Sequence, residues 1–342
     1  MKDDETPNPR YGHTAVLYKK EIFIYGGKLP KEYFKPKEDI LIFNLGIITF
    51  LNTYHVFMLN NILDNNRFYS EHSKSLYEIP NRRSHVAHAI GPVMLIHGGI
   101  LENGKISNDL AILEFCNLKW NKLEYKGKSP FLAYHCSDLV IENGKVNVKN
   151  YQIFKGFNNT ENKSSYKLKH EGIFFFGGTD EENNCKNDLY ILKIGRKPLE
   201  WYNPKPNGLA PPPRIFAKMN YYEELNVLIV HGGRNDILKK SIFNDFWVFD
   251  LENFKWIKAN INPYTPKDRS EHCSIIYKNQ LLVLGGTNLK KYNSMDFFII
   301  NLDLFNNKLK ERDVYKEYEQ KNKNERSKRS EENMKSSQDG LK

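Results

Sequence analysis

The apolar residues of this chain come in short runs of Ile, Val, Leu, Phe and Tyr separated by polar turns. Five runs end in two consecutive glycines: 22–25 before Gly26-Gly27, 93–97 before Gly98-Gly99, 173–176 before Gly177-Gly178, 227–231 before Gly232-Gly233 and 281–284 before Gly285-Gly286. Runs this short, with no helical period before residue 310, predict strands. A strand that closes on two glycines needs a sharp bend or a close backbone approach, because glycine reaches positive φ freely. Five copies make the pattern an internal repeat, which has to be recognised before any local reading.

Each repeat reads as four short strands. The first runs from Arg10-Tyr11-Gly12-His13 through a strand, a turn at 19–21, the strand ending at Gly26-Gly27, and a loop; Asp39 then opens a third strand, and the repeat closes near 48–50. The others carry Arg82, His85, Asp109 and Trp120; His135, Asp188 and Trp201; Arg214, Asp245 and Trp256; and Arg269, His272 and Asp296. His13 to Gly26, His85 to Gly98 and His272 to Gly285 are each 13 residues, and Asp39 to Phe50, Asp109 to Trp120 and Asp245 to Trp256 are each 11. Sheets are therefore expected from about 10–51, 82–123, 132–203, 214–258 and 269–310.

This combination resembles the kelch repeat over roughly residues 8–310. The resemblance implies an all-β fold, a kelch-type β-propeller with five recognisable four-stranded blades around a channel. One blade cannot bury both faces alone, and stacking blades around an axis hides them. Kelch propellers usually have six or seven blades. Five copies therefore predict a degenerate sixth blade in an insertion or the tail, an open or five-bladed ring, or a piece of a longer chain.

The departures sit at particular places. Ala217 stands where repeat four would have its His, repeat three lacks the Arg, and repeat five has Asn307 where the Trp would fall. Insertions are expected at about 52–79 and 142–170, neither needed for the propeller, since a longer loop adds little once strands hold its ends. The second holds a hairpin signal at Asn143-Gly144 and then a polar stretch expected to be disordered. Residues 1–9 read as a flexible lead-in, and 311–342 as a charged tail, part-helical over 311–323 or disordered.

Charge adds a modest bias. The net charge is +10, mostly on the repeats, which mildly favours acidic partners. Cys116, Cys136, Cys185 and Cys273 are scattered without a C-x-x-C pair and read as reduced thiols in a cytoplasmic or nuclear protein. No apolar run reaches a membrane span of roughly 20 residues. No phosphate loop, nucleophile elbow or zinc-protease motif is present, so no catalytic residue, cofactor or metal is assigned.

The repeating polar residues carry two competing readings. Arg10, Arg82, Arg214 and Arg269 recur before the first strand, which the resemblance places near the channel mouth; with Arg234 they are candidate contacts for acidic groups of a protein partner. Alternatively the arginines pair with the recurring Asp39, Asp109, Asp188, Asp245 and Asp296 inside the blades. Arg214, with prolines before it and no His after it, is expected to be the freest to bind. His13, His85, His135 and His272 read as hydrogen-bonded structural histidines in separate blades, far apart, and Trp120, Trp201 and Trp256 as blade-to-blade packing rather than nucleic-acid platforms. The expected function is a non-catalytic protein-interaction scaffold with its contact face on the loops after Gly-Gly. An enzyme or enzyme-subunit propeller with a channel-mouth site, or a fragment of a larger adaptor or phosphatase-type chain, are the alternatives.

Overall fold

Tight turns between neighbouring strands, two of them at left-handed Lys19 and Lys278, fold the apolar runs into antiparallel hairpins. The computed structural model describes residues 10–28, 39–44, 68–72, 79–141, 171–194, 198–236, 241–261, 266–288, 296–303 and 305. Blade one contains Tyr11–Tyr18, Glu21–Lys28, Asp39–Asn44 and Phe68–His72, paired in that order. Blade two contains Val86–Ile90, Val93–His97, Leu110–Glu114 and Lys119–Lys122. Blade three contains Cys136–Val140, Gly172–Phe176, Leu189–Lys193 and Leu199–Tyr202, with Tyr125–Lys126 added in parallel at its outer edge. Blade four contains Lys218–Tyr222, Val227–His231, Phe246–Asp250 and Lys255–Ala259. Blade five, among the described residues, has three strands, Cys273–Tyr277, Gln280–Leu284 and Phe297–Asn301.

The five sheets are the blades of a β-propeller. The first strand of each blade is innermost, since first strands bond to one another across blades. Thr14 Oγ1 meets His85 Nε2 at 2.7 Å, His88 Nε2 meets Ser137 Oγ at 2.7 Å, and the Tyr221 amide donates to Asp138 Oδ2 at 2.7 Å. Between successive blades lie four buried clusters. Val16, Phe23 and Tyr25 pack on Met94, Ile96 and Trp120; Leu95 and Ile112 on Ile173, Phe175 and Trp201; Phe174 and Phe176 on Leu228, Trp247 and Trp256; Val227, Ile229 and Phe246 on Leu281, Val283 and Ile300. Trp120, Trp201 and Trp256 each pack against the preceding blade. Among the described residues no fifth cluster joins blade five back to blade one.

Two expectations change. The fourth strand of blade one is Phe68–His72, not 48–50, so the stretch expected to be a dispensable insertion supplies a blade strand. The 11-residue spacing misplaced it because a spacing cannot reveal residues inserted between third and fourth strands. The second insertion leaves from the turn between Cys136–Val140 and Gly172–Phe176, which pair directly. The expected hairpin and loop at 142–170, the lead-in, and the tail all lie outside the described residues.

Candidate functional site

The repeating arginine is a clamp inside its own repeat. Arg82 donates from Nε to the Pro80 carbonyl (3.2 Å), from Nη1 to the Gly98 carbonyl (2.9 Å) and from Nη2 to Asp109 (3.1 Å). Arg214 repeats the pattern with the Pro212 carbonyl (3.1 Å), the Gly232 carbonyl (3.0 Å) and both oxygens of Asp245 (2.7 and 2.9 Å). Arg269 donates to the carbonyls of Lys267 (3.1 Å) and Gly285 (2.7 Å), and Arg10 reaches the Gly26 carbonyl at 3.3 Å. Burial alone would raise the Asp245 carboxyl, but the Arg214 guanidinium beside it brings it below its ordinary value.

The same segment staples blade to blade. The second glycine of one repeat donates its N–H to the carbonyl at the Arg position of the next: Gly99 to Leu132 (2.8 Å), Gly178 to Arg214 (2.9 Å) and Gly233 to Arg269 (2.8 Å). The first glycine has no room for a side chain. A Cβ on Gly26 would lie 2.4 Å from the Arg82 carbonyl and 2.9 Å from the His85 ring, and one on Gly232 would meet Arg269 and His272 likewise. The histidines therefore close against the preceding blade and form an inner row. Two of them meet a histidine at the end of the second strand of the preceding blade rather than one another. His97 lies against His135 with ring centroids 5.5 Å apart, and His231 Nδ1 meets His272 Nε2 at 3.1 Å. Burial pushes His135 and His231 down to about 3 and His88 to about 4, so these rings are neutral. Among the described residues no group of three or more His, Cys, Asp or Glu is placed to hold a metal.

Two residues after each arginine position the chain turns left-handed. Gly12, Ser84, Tyr134, Phe216 and Glu271 have φ of 72°, 58°, 59°, 57° and 59°. Their backbones form a belt at the Gly-Gly end of the innermost strands: Ser84 donates to the Gly12 carbonyl, Tyr134 to Ser84, Phe216 to Tyr134 and Glu271 to Phe216. Side chains follow the belt. Arg83 Nη1 donates to the Tyr134 hydroxyl at 2.9 Å, the Tyr134 and Phe216 rings lie 4.3 Å apart, and Arg234 sits 4.2 Å over Phe216 while donating to Glu271 at 2.8 Å. Below this rim Asp138, on an innermost strand, is pushed up to about 6 by burial, opposed by the Tyr221 and Leu139 amides.

Comparison with known proteins agrees with this geometry. A family model described as the KLHDC2/KLHL20/DRC7 kelch-repeats domain matches residues 158–311. Residues 158–311 thus carry a kelch-repeat match, and the blades described above make the fold a β-propeller. It is 28% identical over 302 residues to host cell factor 1 of Rattus norvegicus, covering 82% of this chain and 12% of that protein. Host cell factor of Drosophila melanogaster is 27% identical over 297 residues, covering 82% and 16%. Dynein regulatory complex subunit 7 of Chlamydomonas reinhardtii is 30% identical over 114 residues, covering 33% and 10%. The chain thus spans a small part of the length of these relatives.

Among the residues singled out from the kelch pattern, Arg82, Arg214, Arg234 and Arg269 are buried and engaged within the propeller. Arg214, expected to be the freest, is clamped by both oxygens of Asp245; losing the His at 217 does not loosen it, because its partners lie in its own repeat. Arg10 is half-buried. Asp109 and Asp245 pair with arginines, and the side chain of Asp39 lies outside the described residues. What the repeat pattern missed is the rim: Ser84, Tyr134, Phe216 and Glu271 share a position but no chemistry. Gly12 at that position in repeat one was the available signal, since one glycine there marks a left-handed backbone for all five.

Proposed function

We propose that this chain is a non-catalytic interaction module that takes a protein partner on the rim of the channel mouth, through Arg83, Tyr134, Phe216 and Glu271. The observation that carries this reading is the left-handed conformation of four non-glycine residues at one repeat position. A side chain there disfavours that conformation by about 1–3 kcal/mol, and such strain is typical of residues kept for contact rather than stability. The aromatic pair supplies apolar area with little rotamer entropy to lose, and Arg83 and Glu271 supply charge at its edges. The repeated arginines support the rim instead of reading the partner directly. The soluble compartment proposed is cytoplasm or nucleus; no helix among the described residues is long and apolar enough to cross a membrane.

The test compares proteins captured by the wild-type chain with those captured by Tyr134→Ala and Phe216→Ala, identified by mass spectrometry. Partners enriched by the wild type should be lost from both variants while Arg83→Lys retains most of them. An unchanged set with both variants, each confirmed folded by circular dichroism, would show that the partner binds elsewhere.

A further inference from the structure

Blade three breaks the arginine pattern, and the break lies at a cleft. The segment entering its first strand has Leu132 where the other repeats have an arginine. The Leu132 carbonyl takes the Gly99 N–H, as the Arg214 and Arg269 carbonyls take those of Gly178 and Gly233. The carboxylate that the arginine would clamp is still in place. The Asp188 carbonyl accepts the Gly177 N–H, as the Asp109 and Asp245 carbonyls accept those of Gly98 and Gly232. Asp109 and Asp245 are half-buried against their arginines. Asp188 is exposed, and among the described residues no hydrogen bond or ion pair reaches its carboxylate.

Leu132 and Asp188 both line a cleft of about 560 Å³ beside the loop after Gly177-Gly178. A leucine side chain stops short of a guanidinium, so the place that Arg82 and Arg214 fill in their repeats is open here. Lys186 does not make up for the arginine. It takes the position of Ser107 and Phe243, which touch the arginine in blades two and four, but its ammonium goes to Asp180 at 2.5 Å. Phe131, 38% exposed, and half-buried Tyr190 line the same cleft. With Asp180 taken by Lys186, the carboxylates of Glu181, Glu182 and Asp188 stand against Lys128 alone. The cleft is therefore acidic in a chain of net charge +10.

We propose that this cleft binds an arginine side chain of a protein partner, its guanidinium pairing with Asp188 where the other repeats use their own arginine. The chain shows the chemistry internally. Arg214 holds both oxygens of Asp245 while lying 4.4 Å over Phe243, and Arg234 donates to Glu271 from 4.2 Å over Phe216. A planar fork that pairs with a carboxylate and stacks on a ring suits a cleft lined by Asp188, Phe131 and Tyr190. A lysine ammonium has neither the fork nor the plane. Among the described residues no three carboxylates converge to hold a metal ion. The blade-three insertion joins at the Val140–Gly172 end of the hairpin, opposite the Cys136–Phe176 end beside which the cleft lies. This proposal is independent of the rim reading, since Arg83, Tyr134, Phe216 and Glu271 do not line the cleft.

The test titrates the full chain with N-acetyl-arginine amide, followed by saturation-transfer NMR of the probe. N-acetyl-lysine amide and the neutral isostere N-acetyl-citrulline amide are run beside it. The arginine probe should bind in the millimolar range expected of so small a ligand, and the other two about fivefold more weakly or worse. Asp188→Asn, a change at an exposed carboxylate, should weaken arginine binding about tenfold or more. Leu132→Arg returns the repeat's own guanidinium to Asp188 and should abolish binding. Circular dichroism checks both variants, and Asp188→Asn decides alone where Leu132→Arg does not fold. No binding to the wild type, as when other residues of this chain already fill the cleft, would overturn the proposal. So would equal binding of the lysine probe, or arginine binding that survives Asp188→Asn or a folded Leu132→Arg.

Discussion

Blades four and five have the same repeat, the same strand order and equivalent registers, yet equivalent residues differ completely in burial. Phe246 and Val248 are each 2% exposed, whereas Phe297 and Ile299 are 51% and 54% exposed. Intrinsic preference cannot explain this, since the residue types are nearly the same. The neighbour decides it: blade five covers blade four, and among the described residues nothing covers blade five in turn. A propeller strand is apolar on both faces because both are meant to meet another blade. The alternation that would separate an inner face from an outer one is therefore absent from its sequence.

The largest predicted effect follows directly. Phe246→Ala empties a site between two blades and should destabilise the chain by about 3–5 kcal/mol, the range for large aromatic truncations in cores. Phe297→Ala removes an equivalent ring from a face that no described residue covers and should stay within about 0.5 kcal/mol, like other surface substitutions. Urea denaturation of both variants gives the answer. Equal losses would mean that the two faces are covered alike.

A somewhat smaller contrast separates the arginine clamps of the same two blades. Arg214→Ala removes the partner of Asp245, whose side chain is 14% exposed, and should destabilise by about 3 kcal/mol, as when one member of a buried pair is lost. Among the described residues the direct hydrogen bonds of Arg269 go to the Lys267 and Gly285 carbonyls. Arg269→Ala should therefore lose about 2 kcal/mol, within the range for hydrogen bonds to a charged group. Thermal melts of the two variants should rank in that order.

The fold was legible in the sequence because its determinants are local and repeated. The double glycine, the His thirteen residues before it and the Trp after the third strand report one packing event each, and five copies remove ambiguity. The roles within the motif were less legible. An Arg before a strand has the same appearance whether it clamps a carbonyl or waits for a partner, and the choice depends on Asp109 or Asp245, far off in sequence. The rim was nearly invisible, since Ser84, Tyr134, Phe216 and Glu271 share a backbone conformation and nothing else. The fourth strand of blade one was missed because an insertion between paired strands leaves no periodic trace.

Acid should weaken the junction between the two blades. Burial pushes His231 down to about 3, and His272 well below its ordinary value of 6.5, each helped by neighbouring positive charge. Because the folded state binds these protons more weakly, the unfolded chain takes them up first as pH falls. Stability present above about pH 6.5 is then lost on acidification, by about 2 kcal/mol per buried imidazole at pH 5. His231→Phe, which keeps an aromatic ring stacked on Phe246, should reduce the drop in melting temperature between pH 7 and pH 5. A drop as steep as that of the wild type would assign the acid sensitivity to other groups.

The smallest effect concerns the belt, where interior and end positions can be compared. Ser84 is left-handed, with its amide bonded to Gly12 and its carbonyl to Tyr134, so its conformation is fixed from both sides. Ser84→Gly removes the side-chain penalty of that conformation while admitting more freedom in the unfolded chain, and the two terms nearly offset. The expected gain is about 0.5 kcal/mol or less. Glu271 is left-handed too, but its backbone is held within the described residues only through its amide, and its carboxylate pairs with Arg234. Glu271→Gly therefore loses a contact, gains less from relief of strain, and should leave the melting temperature unchanged or slightly lower. If Glu271→Gly stabilises more than Ser84→Gly, the strain is concentrated at the end of the belt rather than shared along it.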